Sequence, residues 1–208
     1  MNNSRAESTI NYYNKLSKKY DRGYSGYLKH THAKLLENLK IPDGARVLDI
    51  SCGTGILGSE IAEHFSISEL VLNDPSEGMI NIARERLADI ENITFSQHIA
   101  EELPFEPDSF DVLICLNSFH YYTDHKKVVE HFRRLLKPGG TLYLLDWNLE
   151  GWFHLPNGII SAFSPEHINT KSASETDKLL SEFKFKIETL QRWSFRFWKF
   201  YLIKALLK

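Results

Sequence analysis

The chain has 208 residues, 42% of them apolar, with 25 basic against 27 acidic side chains and a formal net charge of -2. That length suits one domain with a buried core, and the apolar share excludes a disordered chain. The balanced charge offers no basic field for nucleic acid phosphates, the polar start from Met1 to Glu7 lacks the apolar core of a signal peptide, and no apolar run of about 18 residues is present to span a membrane.

In chain order, periodicity predicts a helix over 8–22 with Ile10, Tyr13, Leu16 and Tyr20 on one stripe, then a break at Asp21-Arg22-Gly23. A second helix runs through Leu28, Leu35, Leu36 and Leu39 until Pro42-Asp43-Gly44. Standing ahead of the sheet, residues 1–40 form a helical lid. Residues 46–51 read as a strand, ending in a carboxylate, Asp49, and small residues. Gly53, Gly55 and Gly58 follow with the spacing G-x-G-x-x-G, and a helix takes up over 55–65. Strand, glycine bend and helix in that order let a ligand touch backbone N–H groups at a helix N-terminus. A second strand, 69–74, ends in Asp74-Pro75; Ser76 caps a helix with Met79, Ile80, Ala83, Leu87 and Ile90 inward. Strands follow at 93–99 and 111–116, then a helix at 126–137 stopped by Pro138-Gly139-Gly140, then a strand at 141–147. Cys52 and Cys115 are too few for a disulfide framework and read as buried free thiols in a reducing cytoplasm.

Residues 148–171 read as an irregular segment over the edge of the site, with Trp152 and His154 in it. Ser172 and Glu175 have capping-box spacing and open a short helix. Strands at 185–191 and 195–205 close the chain through a tight turn, and the last, apolar on both faces, suits the interior of a sheet. A basic, aromatic membrane anchor with Arg196, Lys199, Lys204 and Lys208 is the other reading of that stretch. The alternation of strands and helices specifies an α/β class, a doubly wound, mainly parallel sheet. Ligands bind beyond the carboxyl ends of such strands, where Asp49, Asp74, Ile99, Asn117 and Trp147 converge.

The stretch from Val47 to Gly55 (Val-Leu-Asp-Ile-Ser-Cys-Gly-Thr-Gly) resembles motif I of the class I S-adenosylmethionine (SAM)-dependent methyltransferases. Asn73-Asp74-Pro75-Ser76 with Met79 resembles the acidic end of their second strand. Ala100-Glu101-Glu102-Leu103-Pro104-Phe105 resembles their adenine-side loop, and Arg134 to Gly140 the turn before strand five. The nearest subgroup is the small-molecule methyltransferases similar to quinone-biosynthesis enzymes. The resemblance implies a Rossmann-like, seven-stranded methyltransferase fold in a single domain over 1–208, with a cofactor-binding core at 45–147 and a substrate-side segment at 148–208.

It further implies SAM as cofactor, held residue by residue. Asp74 accepts the ribose hydroxyls, and Asp49 lies near the ammonium group. Ser51 and Gly53 line the methionine part, Met79 and Ala100 flank the adenine, and the Asn117 backbone meets the amino-acid end. Tyr20, Thr54, Gly55, Pro75, Glu101 and Leu116 complete the expected set. Ile99 stands where the family commonly has an acidic residue for the adenine amino group, which leaves Gln97, His98 or the Glu101 backbone to supply that contact. Ser51 stands where glycine is common.

Methyl transfer is an in-line displacement that needs the nucleophile about 3–3.5 Å from the methyl carbon, and a general base helps a weakly acidic acceptor. His120, after strand four, is the candidate base; its other reading, the commoner one for a lone histidine, is a residue that hydrogen-bonds a lid helix or shapes the methionine pocket. Tyr12, Tyr13, Tyr20, Tyr24, Tyr27 and His30, with Trp147, Trp152 and His154, are placed to close over a planar or apolar acceptor, or serve as packing. His30/His32 and His120/His125 lack metal-site spacing with nearby acids, so no metal is expected. The expected partner is a small-molecule methyl acceptor, with neither nucleic acid nor membrane span, in a monomer or homodimer. Two other readings stand beside this one: an NAD(P)-binding oxidoreductase, because the glycine motif also suits a dinucleotide, and a non-catalytic SAM-binding module, which Ile99 keeps open.

Overall fold

A computed structural model describes residues 2–163, 166 and 168–208, with side chains from Ala6 onward except those of residues 162 and 163. Met1 of the polar N-terminal tract, and 164, 165 and 167 of the 148–171 tract, lie outside the described residues. Seven strands form one sheet in the order β3-β2-β1-β4-β5-β7-β6. They are β1 (Ala45–Asp49), β2 (Ile67–Asn73), β3 (Ile93–Ser96), β4 (Phe110–Leu116), β5 (Leu136–Trp147), β6 (Phe185–Phe195) and β7 (Trp198–Leu207). The first five are mutually parallel, whereas β7 runs antiparallel to both β5 and β6. The mainly parallel, doubly wound α/β sheet is as expected.

Alternation along β4 shows why its apolar run is unbroken. Val112, Ile114 and Leu116 enter one core, with Leu57 and Ile61 of α2 (Ile56–His64) and Ile80 and Ala83 of α3 (Glu77–Arg86). Leu113 and Cys115 enter the other, with Val128, Val129 and Phe132 of α4 (His125–Leu135) and Leu180 of α6 (Ala173–Glu182). A strand covered on both faces has no solvent side on which to place polar residues. Both predicted caps form: the Ser76 hydroxyl accepts from the Met79 N–H, and Ser172 with Glu175 makes a reciprocal capping box. β7 lies inside the sheet, while the outer edges are the four-residue β3 and β6, along which Lys186, Glu188 and Arg192 are exposed.

Several expectations are corrected. The two N-terminal helices are one, α1 (Asn2–Leu36), of 35 residues. Asp21 does not turn the chain: its carboxylate accepts from Arg86 and Thr54, both at 2.6 Å, and Gly23 stays helical in open space at a cost of ~1 kcal/mol. Residues 148–171 are not wholly irregular, because α5 (His154–Phe163) follows a 3-10 turn at Gly151–Phe153; Pro156 sits in its first turn, where a proline is tolerated. The last hairpin turns at Arg196-Phe197, with Arg196 at φ 55°, so Phe195 ends β6 and Phe197 leaves the strand for the exposed turn. β3 ends at Ser96 because the His98 N–H bonds the Asn73 side chain rather than a neighbouring strand. Helix α3 stops at Arg86, which leaves Ile90 exposed.

Candidate functional site

The three glycines of the bend serve three purposes. Gly53 has φ 55°, and a Cβ there would meet nothing within 4 Å, so its face is open to the cavity above. Gly55, at φ 77°, turns the chain into α2; a Cβ there would lie 3.0 Å from Ala83 of α3. Gly58 lies against β2, where a Cβ would come 2.9 Å from Leu72. One glycine therefore faces the open cavity and two allow packing. Ser51 is not among the residues with positive φ, so the glycine common there is unnecessary; its hydroxyl bonds the Tyr122 hydroxyl at 2.9 Å.

Asp74 points at the bend. The Gly53 N–H donates to its Oδ2 and the Ser76 N–H to its Oδ1, each at 2.9 Å. Beneath the bend, Asp49 is held by the Ser51 N–H while its Oδ1 is buried with no hydrogen-bond partner among the described residues. Burial pushes Asp49 up to about 7 and Asp74 up to about 6. These groups line a cavity of about 1070 Å³ counted to its mouth, at the upper end of the sizes of ligand sites. Asp49, Ser51, Gly53 and Thr54 form its floor, and Asp74, Pro75 and Met79 one wall. Ile99, Ala100 and Glu101 form the next wall, Leu116 and Asn117 another, and Tyr20 of α1 lies across the top. Of the expected cofactor residues only Gly55 stands outside this lining, behind the bend against α3.

The side chain of Asn117, at φ 55°, is turned away. Its Oδ1 accepts from the Tyr27 hydroxyl at 2.9 Å and its Nδ2 donates to Thr31 at 2.8 Å, which leaves its backbone toward the cavity. Glu101 is occupied too: its carboxylate accepts from the Thr123 and Asp124 N–H groups and the Thr123 hydroxyl. Gln97 and His98 are not in the lining, so beside Ile99 only backbone groups of 99–101 offer a polar contact.

Helix α1 roofs the cavity and is tied down at both ends of its crossing. The Asn14 side chain accepts from the Ser76 hydroxyl at 2.7 Å and from the Gly78 N–H at 2.9 Å. Asp21 takes Thr54 of the glycine bend and Arg86 of α3, and Arg86 also bonds the Thr54 carbonyl. Ala6, Thr9, Ile10, Tyr13, Leu28 and His32 of this helix line the cavity, as do Tyr121, Tyr122 and Thr123 after β4. Apart from Tyr13, sequence reasoning assigned none of these a place in the site. The signal was a helical stripe continuing through Asp21-Arg22-Gly23.

His120 lies just outside the lining, fully buried. Its Nδ1 is 2.5 Å from Asp146 Oδ1, its own N–H donates to Asp146 Oδ2 at 3.0 Å, and its ring stacks on Trp147 at 3.8 Å. A carboxylate accepts, so Nδ1 carries the proton and Nε2 presents a lone pair with no partner among the described residues. Tyr13 donates to Tyr121 at 2.6 Å, and Tyr121 to Glu166 at 3.1 Å. Tyr27 bridges Trp147 and Asn117. The remaining aromatic candidates are elsewhere: His30 accepts from Trp193 and stacks on Phe195, while Trp152 and His154 face solvent and Tyr12 and Tyr24 are not in the lining. His32 pairs with Glu60 at 3.0 Å, and His125 bonds the Phe119 carbonyl. Among the described residues no group of three His, Cys, Asp or Glu side chains is placed to hold a metal ion.

The residues present discriminate between ligands. Three acids, Asp49, Asp74 and Glu101, line the cavity, the first two strongly desolvated, and among the described residues no Lys or Arg lines it. Such a site stabilises a cation and repels a diphosphate, because charge interactions strengthen away from water. A sulfonium and an ammonium on an adenosyl group fit; a dinucleotide does not.

This sheet order, with the ligand crevice at the strand ends between β1 and β4, is the Rossmann-like methyltransferase fold. Residues 47–140 match the family profile of the methyltransferase domain. The chain is 28% identical over 159 residues to the uncharacterized methyltransferase YcgJ of Bacillus subtilis, covering 72% of this chain and 60% of that protein. It is 29% identical over 178 residues to the demethylmenaquinone methyltransferase of Listeria welshimeri, covering 79% and 74%. The crystal structure of YcgJ superposes with a TM-score of 0.77 over 86% of this chain and 99% of that one, at 20% identity. A SAM-dependent methyltransferase from Aquifex aeolicus does so at 0.73 over 94% and 98%, at 18% identity. Residues 47–140 thus carry a methyltransferase domain, and over most of its length the chain is similar to methyltransferases.

Proposed function

We propose that the protein transfers a methyl group from SAM to a small, ring-bearing, largely apolar acceptor. The carrying observation is the pair of buried side-chain atoms without a partner among the described residues, Asp49 Oδ1 and His120 Nε2. A buried polar atom left unpaired calls for an explanation; here one suits a cation and the other is a base. Asp49 balances the ammonium group and Asp74 the ribose hydroxyls. Ser51, Gly53 and Thr54 hold the methionine part by backbone, with Leu116 and the Asn117 backbone opposite. Met79, Pro75, Ile99 and Ala100 flank the adenine, the backbone at Glu101 gives its polar contact, and Tyr20 covers the site. Bound there, the cofactor supplies a methyl carbon already activated by positive sulfur.

His120, fixed by Asp146 in the tautomer that leaves Nε2 bare, stands behind the cavity lining and receives the acceptor's proton by relay through a group that lines the cavity. Tyr13 and Tyr121, both in the cavity lining, suit an aromatic or alicyclic ring. The Listeria relative is named for a quinone precursor, which supports a planar, apolar acceptor. Labelled methyl transfer from SAM to a panel of phenols, quinols and amines tests the reading. Asp49→Asn should weaken S-adenosylhomocysteine binding, and His120→Asn should lower kcat while leaving cofactor affinity within about twofold. Stabilisation by NADH and none by S-adenosylhomocysteine in thermal shift would overturn it.

A further inference from the structure

Helix α5 and the turn before it, Gly151 to Phe163, contain no Lys, Arg, Asp or Glu. The inward side is accounted for: Phe153 is buried against Trp147 and Trp198. The outward side is not polar. Trp152 is 48% exposed, Leu155 77% and Ile159 62%, at positions i, i+3 and i+7 of one face. Beside it the β6–β7 turn presents Phe197, 50% exposed, with its ring 4.5 Å from Trp198. Trp198 in turn lies 5.9 Å from Phe153, so the two apolar projections flank one shared aromatic floor. Isolated exposed apolar residues are ordinary, but four on adjoining elements form a patch that needs a partner.

The charges left unpaired around this patch, among the described residues, are of one sign. Lys199 Nζ lies 5.7 Å over the Trp152 ring. The Arg196 guanidinium lies against Gly26 of α1, and Arg22 and Lys29 stand exposed about one turn to either side of that glycine. None of Arg22, Lys29, Arg196 and Lys199 makes an ion pair among the described residues. The nearby acids are spoken for: Glu150 pairs with Arg192 at 3.6 Å and Asp21 with Arg86 at 2.6 Å.

We propose that this face docks the protein on an anionic lipid surface. Trp152, Leu155, Ile159 and Phe197 enter the headgroup boundary while Arg196, Lys199, Arg22 and Lys29 meet lipid phosphates. The proposed contact is peripheral; among the described residues no helix is long and apolar enough to cross a membrane. A second copy of the chain fits less well, since a two-fold contact through this patch sets its cations against their own images. The inference does not depend on the chemistry of the cavity.

Co-sedimentation of the full chain with phosphatidylcholine vesicles, alone or mixed equally with phosphatidylglycerol, tests it. Binding to the mixed vesicles, a blue shift of tryptophan emission lost in Trp152→Phe, and weakening by salt are expected. Arg196→Gln and Lys199→Gln should each weaken binding about fivefold, the ratio that ~1 kcal/mol per surface cation implies. Leu155→Ser with Ile159→Ser should abolish it with an unchanged circular dichroism spectrum, because both side chains are outside the core. Absence of binding to mixed vesicles, or undiminished binding by the double variant, overturns the proposal. So does a dimer that the double variant dissociates and vesicles do not, which assigns the face to a second copy.

Discussion

Gly53 and Gly55 share a left-handed backbone two residues apart, but their replacement should register in different measurements. A methyl group at Gly53 strains the backbone by roughly 1–2 kcal/mol and points into open cavity. Gly53→Ala should therefore weaken S-adenosylhomocysteine binding about tenfold by calorimetry, with a Tm loss limited to that strain. At Gly55 the added atom meets Ala83 at 3.0 Å and Leu87 at 3.1 Å, so Gly55→Ala loosens α2 from α3. Its loss should appear as a Tm lower by several degrees, at about 2–4 °C per kcal/mol for a chain of this size. Asp49 gives a third residue-scale outcome. It binds a cation only when ionised, and burial holds its proton up to about 7. Cofactor affinity should rise about tenfold per pH unit between pH 5 and 7 and level off above. Titration calorimetry on Asp49→Asn should give weaker binding without that slope.

At the scale of the element, α1 carries the largest difference between sequence and structure. The Asp21-Arg22-Gly23 triplet has turn composition, and local chemistry cannot reveal that Thr54 and Arg86, far along the chain, take up the aspartate. Because those bonds and the Asn14 contacts hold α1 over the cavity, Asn14→Ala with Asp21→Ala should raise amide exchange along α1. The same double variant should speed cofactor release several-fold in stopped flow, with the cooperative unfolding transition little moved. The elements around the bend were legible for the opposite reason: strand, glycines and helix are contiguous, and their ligand-facing atoms are backbone. The His120–Asp146 pair was half legible. The histidine stands out after β4, but its partner is 26 residues away at the end of β5, adjacent only because the two strands lie side by side in parallel. The hairpin turn was misplaced because Arg196 and Phe197 are poor turn residues and Arg196 reaches φ 55° without glycine. The helical run of 154–163 was masked by Pro156 and Gly158.

At the scale of the molecule, the site's electrostatics act against the fold. Asp49 and Asp74 have folded values of about 7 and about 6, above the ordinary carboxylate value of 3.8. Between those limits the native state binds more protons than the unfolded chain, so their contribution to stability is greatest below about pH 4 and falls as pH rises toward 7. Asp49→Asn, which cannot ionise, should gain stability over the parent steadily from pH 4 to 7 and hold a constant advantage above, as urea midpoints would record. Saturating cofactor should narrow that advantage, since binding stabilises the parent more. Two-faced packing of the central strands provides the margin for such a cost: Phe132→Ala, in the core beside α4, should lose about 3–5 kcal/mol.

The two outermost strands bear on how copies of this protein can meet. At one side β3 offers only four residues of backbone, and at the other β6 is fringed with Lys186, Glu188 and Arg192, the glutamate clasped by Lys204 at 2.7 Å. Short or charge-lined borders of this kind resist templating by a neighbour's backbone. Crowded in a cell or concentrated in a tube, the molecules gain nothing by stitching their sheets into a ribbon, and any stable pairing has to be made through side chains on a helical flank.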